Sequence, residues 1–248
     1  MTIIQLPAIQ TKILKYITNS IASRTDYQID IGYTNLTWFD TVIFEKIKIY
    51  DQQDSVLMRS DRVGVNINLY ELIINKKVQL EELELIRPVV HIIKKSDSTS
   101  VNISEFVFQL KSNVEKKKKS SILKIESVKI IDGLFSYNDL TKNNLEVGKD
   151  YNHFTYQRIY SDLKEFSQYS DTINFEFASM QAIDMENKLN IRSLEGQFQY
   201  CNKSMTLAQM NLRTDKSFIK DSIRLNYQSS NALKYFNDSV SFYLNLDS

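Results

Sequence analysis

Two stretches of the sequence decide the fold prediction: residues 80–92 read LEELELIRPVVHI, and residues 125–137 read IESVKIIDGLFSY. They match position by position at an offset of 45 residues (125 minus 80). In each stretch, apolar residues alternate with polar ones, as in a strand with one apolar face. The alternation is interrupted once, where two residues instead of one separate Leu80 from Leu83 and Ile125 from Val128, which is typical of a bulge or bend. Pro88 and Gly133 share the slot where a turn residue would end one strand before the next begins. A repeat of this length predicts stacked supersecondary units rather than a compact globule.

The same alternation continues along most of the chain from Tyr27 onward. Polar insertions near residues 111–121 and 139–152 interrupt it, but strands of the same kind resume after each. We therefore predict a helix over residues 1–26 and a repetitive β-groove segment over residues 27–248. The expected fold is mainly β: an N-terminal amphipathic helix, then a curved antiparallel sheet, taco-like or solenoid-like, with an apolar interior. The clearest alternating runs lie at residues 27–31, 63–69, 173–177, 223–227 and 240–246.

The first 26 residues have helical spacing, with Pro7 suited to a first helical turn. Isoleucines recur every fourth residue along one stripe, and Lys12, Lys15 and Arg24 are the only charged residues through position 24. Two interpretations stay open, a helix that caps the sheet and a juxtamembrane helix near an anionic membrane surface. The residues that define this helix are Ile9, Lys12, Ile13, Lys15, Ile17 and Ile21.

Composition and motifs argue against catalysis. The 248 residues carry a formal charge of only +1, which gives no indication of nucleic-acid binding. His91 and His153 are far apart and lack metal-ligand spacing, and Cys201 is the single cysteine. We therefore expect no enzyme activity, no cofactor and no metal. No run is long enough for a spanning helix, and residues 1–4 have no signal-peptide character, which by itself favours the cytoplasm.

The predicted sheet has one apolar face, and too few helices are predicted to shield it from water. Leaving the face exposed is unfavourable, because exposed apolar area costs about 25 cal/mol per Å². Either the sheet curls onto itself, or another molecule occupies the face, and acyl chains are one candidate. The residues expected to line or back such a groove are Phe44, Ile47, Ile49, Val63, Val65, Ile67, Leu80, Leu83, Leu85, Val90, Ile92, Ile125, Val128, Ile130, Phe135 and Tyr137.

Short motifs that follow one another along the chain add a family resemblance. They are LPAIQTK at 6–12, IDIG at 29–32, DQQDSVL at 51–57, LEELEL at 80–85, DYNH at 150–153, LEGQF at 194–198 and MNLRTDKS at 210–217. Together and in this order they resemble the N-terminal segment of TamB-type translocation and assembly module proteins, particularly those of Bacteroidota. The family's N-terminal anchor and C-terminal domain have no counterpart here, so we expect a segment truncated at both ends.

The resemblance implies more than the residue patterns do. TamB-type proteins are similar to AsmA-like proteins and to eukaryotic bridge-like lipid transfer proteins. The resemblance implies a periplasmic β-groove that is anchored in the inner membrane and conducts phospholipids between membranes in outer-membrane biogenesis. It also implies an Omp85-family outer-membrane partner, bound through the missing C-terminal region. Two alternatives stay open: a periplasmic scaffold that binds partner strands by β-augmentation, and a closed sandwich or β-helix that serves as a spacer.

Overall fold

The fold is described from a computed structural model. The helix predicted over residues 1–26 and the insertion near residues 111–121 lie outside the residues that the structure describes. The described residues are 28–37, 41–51, 54–68, 71, 74, 80–96, 102, 123–145, 150–186, 189–228 and 240–245.

The described residues form thirteen strands in one large, curved, mixed sheet, so the prediction of a mainly β fold is confirmed. The sheet follows the order β1-β3-β4-β5-β7 and then continues consecutively to β13. In addition, β2 pairs with β3, and β6 pairs with both β4 and β7. The strands are β1 (Ile29–Asp30), β2 (Tyr33–Thr37), β3 (Thr41–Tyr50), β4 (Val56–Ile67), β5 (Leu80–Ile86), β6 (Val89–Lys94), β7 (Leu123–Asp139), β8 (His153–Tyr169), β9 (Thr172–Asp184), β10 (Ile191–Tyr200), β11 (Ser204–Thr214), β12 (Phe218–Tyr227) and β13 (Val240–Asn245).

The sheet is not antiparallel throughout, and in this respect the sequence-based prediction was wrong. Strands β5 and β6 both pair with β7 in parallel, whereas the other paired strands are antiparallel. At this junction Leu80 pairs with Ile125 and Val90 pairs with Phe135, each 45 residues away. The two copies of the repeat therefore lie side by side in register. Alternation specifies which face a side chain occupies but not the direction of the neighbouring strand, which is why the parallel junction could not be predicted.

The shared slot of Pro88 and Gly133 has a different structure in each copy. Strand β5 ends at Ile86 and β6 begins at Val89, so the predicted break at Pro88 is confirmed. Strand β7 continues through Gly133, so the predicted break there was wrong. A Cβ on Gly133 would lie 3.3 Å from Pro88 Cγ and 3.0 Å from Ile130 Cγ2. Glycine is needed there for close packing rather than to end a strand.

Residues with positive φ introduce bends into neighbouring strands. Lys46 in β3, Arg87 between β5 and β6, Asp132 in β7 and Arg158 in β8 all have φ values between 48° and 56°. Register shifts accompany the bends in β7 and β8. Bulges bend a strand and increase its local twist, and these positions supply a local cause for the curvature of the sheet.

Candidate apolar binding face

Direct pairing places apolar residues of β3, β4, β5 and β7 on one side of the sheet. Phe44 pairs with Val63, Val63 with Leu85, and Leu85 with Ile130. Residues directly opposite each other in paired strands project from the same face. Val42, Phe44, Val63 and Ile67 form a buried cluster there, against which Val65, Leu80, Leu83 and Leu85 pack. We call this side, defined by Phe44, Val63, Leu85 and Ile130, the apolar face.

The apolar face continues through aromatic residues of β8, β9 and β10. Ile125 in β7 pairs with Phe166 in β8. The ring of Phe166 is stacked near that of Phe175 in β9, with centroids 6.3 Å apart. The Phe175 ring in turn stacks on Phe198 in β10 at 4.7 Å, and Phe177 meets Phe175 edge-on at 5.0 Å. The apolar surface therefore crosses the sheet's middle as a row of rings.

Beyond β10 the same face is aliphatic again. Phe198 pairs with Leu207 in β11, Leu207 with Ile223 in β12, and Ile223 with Leu244 in β13. The face thus extends from β3 to β13, perpendicular to the strands.

The opposite side of the sheet carries charges at the intervening positions. In β5 and β7, Glu84 pairs with Lys129, and Lys129 Nζ lies 2.6 Å from Glu82 Oε1. The hydrogen bond to Glu82, followed by its charge, raises the pKa of Lys129. Farther along, Lys164 pairs with Glu176. The side opposite the apolar face therefore carries charged residues across β5, β7, β8 and β9.

Burial is uneven along the apolar face. Side chains at the β3–β4 end are almost fully covered, with Val42 at 0%, Phe44 at 2% and Ile67 at 1% exposure. At the other end, Phe242 and Leu244 in β13 are each 51% exposed. Between these ends, Phe166, Phe175 and Phe198 are half-buried.

The sixteen predicted groove residues fall into two groups. The first, on the apolar face, comprises Phe44, Val63, Val65, Ile67, Leu80, Leu83, Leu85, Ile125, Val128 and Ile130, with Ile47 packed against its buried cluster. The second lies toward the other end of the same strands, past the positive-φ residues, and comprises Ile49, Val90, Ile92, Phe135 and Tyr137.

The second group is aromatic on its β7–β8 side. Phe154 in β8 places its ring 6.1 Å from that of Phe135, 5.6 Å from that of Tyr137 and 5.9 Å from that of Tyr156. Tyr137 has a raised pKa, first because of burial and then because Asp139 is near.

The candidate list from the sequence omitted the β8–β13 part of the face. Alternation at Phe175 and Phe177 was visible, but the strand pairing that joins them to the repeat was not. The residues missed are Phe166, Phe175, Phe177, Phe198, Leu207, Ile223 and Leu244.

A polar cluster lies where β6 and β7 end and β8 begins. Lys94 Nζ is 3.0 Å from Asp139 Oδ2, and both side chains are buried. Asp139 Oδ1 also accepts hydrogen bonds from the Thr141 amide and hydroxyl. Burial opposes ionisation of Asp139, but the bonds to Thr141 and Lys94 prevail and lower its pKa.

Asp150 organises the turn between β7 and β8. Its carboxylate accepts hydrogen bonds from the backbone amides of Leu145, Asn152 and His153, and lies 2.9 Å from His153 Nδ1. The bond from the Leu145 amide is the largest of the effects that lower the pKa of Asp150 to about 2, against the opposing effect of burial. The bonds within this cluster are local, so it supports the loop rather than a ligand.

The remaining reactive side chains have structural partners. His91 is half-buried, with Nδ1 2.7 Å from Ser136 Oγ, and burial followed by the charge of Arg59 lowers its pKa. Cys201 Sγ lies 3.2 Å from Ser204 Oγ, and this contact is the first cause of a lowered pKa. Within the described part of the chain, no group of His, Cys, Asp or Glu is arranged to hold a metal ion. Nor do the described residues include a helix both long enough and apolar enough to span a bilayer.

Comparison with known proteins identifies no family. No protein-family model matches the sequence, and no curated protein is significantly similar to it. The functional proposal therefore depends on the geometry of the apolar face, together with the motif resemblance.

Proposed function

We propose that this chain is the N-terminal part of an inner-membrane-anchored periplasmic β-groove protein of the TamB type. In this proposal it conducts phospholipids between membranes in outer-membrane biogenesis, with acyl chains on the apolar face. One observation carries the proposal: a single apolar face extends from β3 to β13.

The chemistry of the face suits a lipid in transit. Each strand adds about 4.8 Å perpendicular to its own direction, so a face that crosses many strands is a long path. Its side chains are Val, Ile, Leu and Phe, which contact acyl chains without directional bonds. Such contacts are similar from strand to strand, so no single position would trap the lipid, while the polar headgroup stays in water at the open side.

The proposal also assigns partners outside this segment. An N-terminal anchor would hold the protein in the inner membrane, and a C-terminal region would contact an Omp85-family protein of the outer membrane. The motifs at residues 150–153 and 194–198 support the family assignment.

Paired substitutions in β10 test the lipid-binding role. Phe198→Glu places a charge on the apolar face, whereas Gln199→Glu places the same charge on the opposite side, next to it in the same strand. After mild purification, native mass spectrometry should find phospholipid on the unmodified protein and on the Gln199 variant, and several-fold less on the Phe198 variant. Lipid-free unmodified protein, or an equal loss in both variants, would contradict the proposal.

A second candidate, a scaffold that binds partner strands, is favoured by β13. This last strand of the sheet order exposes three consecutive large apolar residues, Phe242, Tyr243 and Leu244, at 51–56%. Apolar edge strands are sites of β-augmentation. A photo-crosslinker at Tyr243 that captures outer-membrane proteins, with no lipid captured at Phe198, would support the scaffold instead.

A further inference from the structure

One margin of the sheet is formed by the ends of six consecutive strands. Strands β7, β9 and β11 end at this margin, and their antiparallel partners β8, β10 and β12 begin there. Successive connections along the margin are about 10 Å apart, because each is two strands from the next. We call this margin, defined by Leu140, Met185 and Phe218, the β7–β12 rim.

A buried aspartate followed directly by an exposed apolar residue occurs three times on this rim. The pairs are Asp139–Leu140, Asp150–Tyr151 and Asp184–Met185, in which the aspartates are 3%, 6% and 3% exposed and the apolar residues 59%, 71% and 52% exposed. Phe218, the first residue of β12, adds a fourth exposed apolar residue at 59%. The rim therefore presents large apolar side chains to solvent in each of its three connections.

The buried aspartates hold the backbone that carries these side chains. Asp139 Oδ1 accepts a hydrogen bond from the Thr141 amide at 3.0 Å, and Asp184 Oδ1 accepts one from the Glu186 amide at 3.1 Å. The Asp150 carboxylate accepts backbone amides in the same way. A fixed backbone lowers the entropic cost of binding a partner. The exposed side chains themselves contribute little to folding, since they bury little apolar area.

The described carboxylates of the rim are engaged by the protein itself. The three aspartates accept backbone amides, Glu186 accepts a backbone amide of β8, and Asp215 pairs with Arg192. Lys142 and Lys216, in contrast, are exposed in the first and third connections. Among the described residues of the rim, the charge that faces a partner is therefore predominantly positive.

We propose that the β7–β12 rim docks onto the surface of a bilayer that contains anionic phospholipid. The apolar side chains enter the headgroup region, where tyrosine and other amphipathic or apolar groups are favoured, and the lysines meet the lipid phosphates. The inserted side chains are Leu140, Tyr151, Met185 and Phe218.

The spacing of the exposed side chains fits a bilayer better than a protein partner. A specific protein interface has a continuous, closely packed apolar core. On this rim the apolar side chains lie on separate connections, with exposed lysines in two of them. A fluid bilayer accommodates separate insertions, and each side chain gains by burying its own apolar area.

Docking goes beyond the proposed lipid conduction, because a bilayer surface can be bound without any acyl chain on the apolar face. The Phe198→Glu variant should therefore bind vesicles as the unmodified protein does. Loss of copurified lipid with vesicle binding retained in this variant supports docking at a separate site. If Phe198→Glu abolishes vesicle binding, the apolar face rather than the rim contacts the bilayer, and the inference is overturned.

Position-specific fluorescence tests the contact. In a Cys201→Ser background, Tyr151→Cys and the control Tyr169→Cys are each labelled with the environment-sensitive fluorophore NBD. Tyr169 is 50% exposed and lies at the opposite margin, where β8 ends. Phosphatidylethanolamine–phosphatidylglycerol vesicles should shift the emission to the blue at position 151 and not at position 169, and phosphatidylcholine vesicles should have a much smaller effect. No shift at position 151, equal shifts at both positions, or a shift caused by raising the protein concentration without vesicles would overturn the inference.

Charge reversal tests the role of the lysines. Lys142→Glu with Lys216→Glu should lower the affinity for phosphatidylethanolamine–phosphatidylglycerol vesicles by about tenfold or more in a sedimentation assay. The matched control, Lys124→Glu with Lys203→Glu, changes the net charge equally at exposed residues of the opposite margin and should have a much smaller effect. Equal losses in the two variants would show that net charge alone governs vesicle binding, and would overturn the inference.

Discussion

Lys94 Nζ lies 3.0 Å from Asp139 Oδ2, and the two residues are separated by 45 positions. The same separation joins His91 to Ser136, whose side chains meet at 2.7 Å. It is also the offset at which β5 and β6 pair with β7. Counterparts in the sequence repeat are therefore neighbours in space, and a substitution in one copy acts directly on the other.

Removing the cation from the buried pair should destabilise the protein. Lys94→Met would leave the buried Asp139 carboxylate without its counter-ion, which we expect to lower the free energy of unfolding by about 3 kcal/mol. Adding Asp139→Asn removes the charge and should restore more than half of the loss. Urea denaturation of Lys94→Met, Asp139→Asn and the double variant completes a double-mutant cycle. If the losses in the free energy of unfolding are additive, Lys94 and Asp139 do not interact energetically and the prediction is wrong.

Acid should weaken the turn that Asp150 organises. Because folding lowers the pKa of this carboxyl to about 2, its contribution to stability is present above the unfolded-state pKa and is lost as the pH falls toward 2. Asp150→Asn should cost about 1–3 kcal/mol at pH 7. The difference in urea midpoint between the unmodified protein and this variant should shrink between about pH 5 and pH 2.5. If the difference in urea midpoint does not change with pH, the negative charge of Asp150 does not contribute to stability and the prediction is wrong.

Replacement by alanine should destabilise the protein far more at Gly196 than at Gly64. Gly196 has φ +145°, and an added Cβ would lie 3.0 Å from the Ala208 carbonyl oxygen and 3.1 Å from Met210 Cα. Gly196→Ala should therefore cost about 2–4 kcal/mol. The control, Gly64→Ala, places its Cβ 3.7 Å from the nearest atom and should change stability by less than about 1 kcal/mol. Thermal unfolding measures both, and similar losses would refute the distinction.

The fold could be predicted as far as side-chain alternation determines it. Alternating runs at residues 173–177 and 223–227 fall within β9 and β12, and the gap between Leu80 and Leu83 coincides with a register shift against β4. Strand direction was not available from the same pattern, because parallel and antiparallel partners place side chains on the same faces. Nor could the bends at Lys46 and Arg158 be predicted, since neither is a residue type that signals positive φ.

The candidate face was predicted where the sequence repeats and missed where it does not. The pairs of the repeat, such as Leu85 with Ile130, occupy one face as expected. The aromatic row of Phe166, Phe175 and Phe198 joins that face only through pairing between strands of dissimilar sequence. Such pairing depends on register, which bulges in β8 and β9 shift by whole residues.

We expect the parallel junction to divide the chain into two folding units. On either side of it, successive strands are mostly antiparallel neighbours, joined by connections shorter than the one that spans the junction, so their pairing should form faster. The junction forms only after the long connection from Lys94 to Leu123 has closed, which carries a larger entropic cost. The strands before the junction and those after it should each assemble first, and the seam between β5–β6 and β7 should form last and open earliest under denaturing conditions.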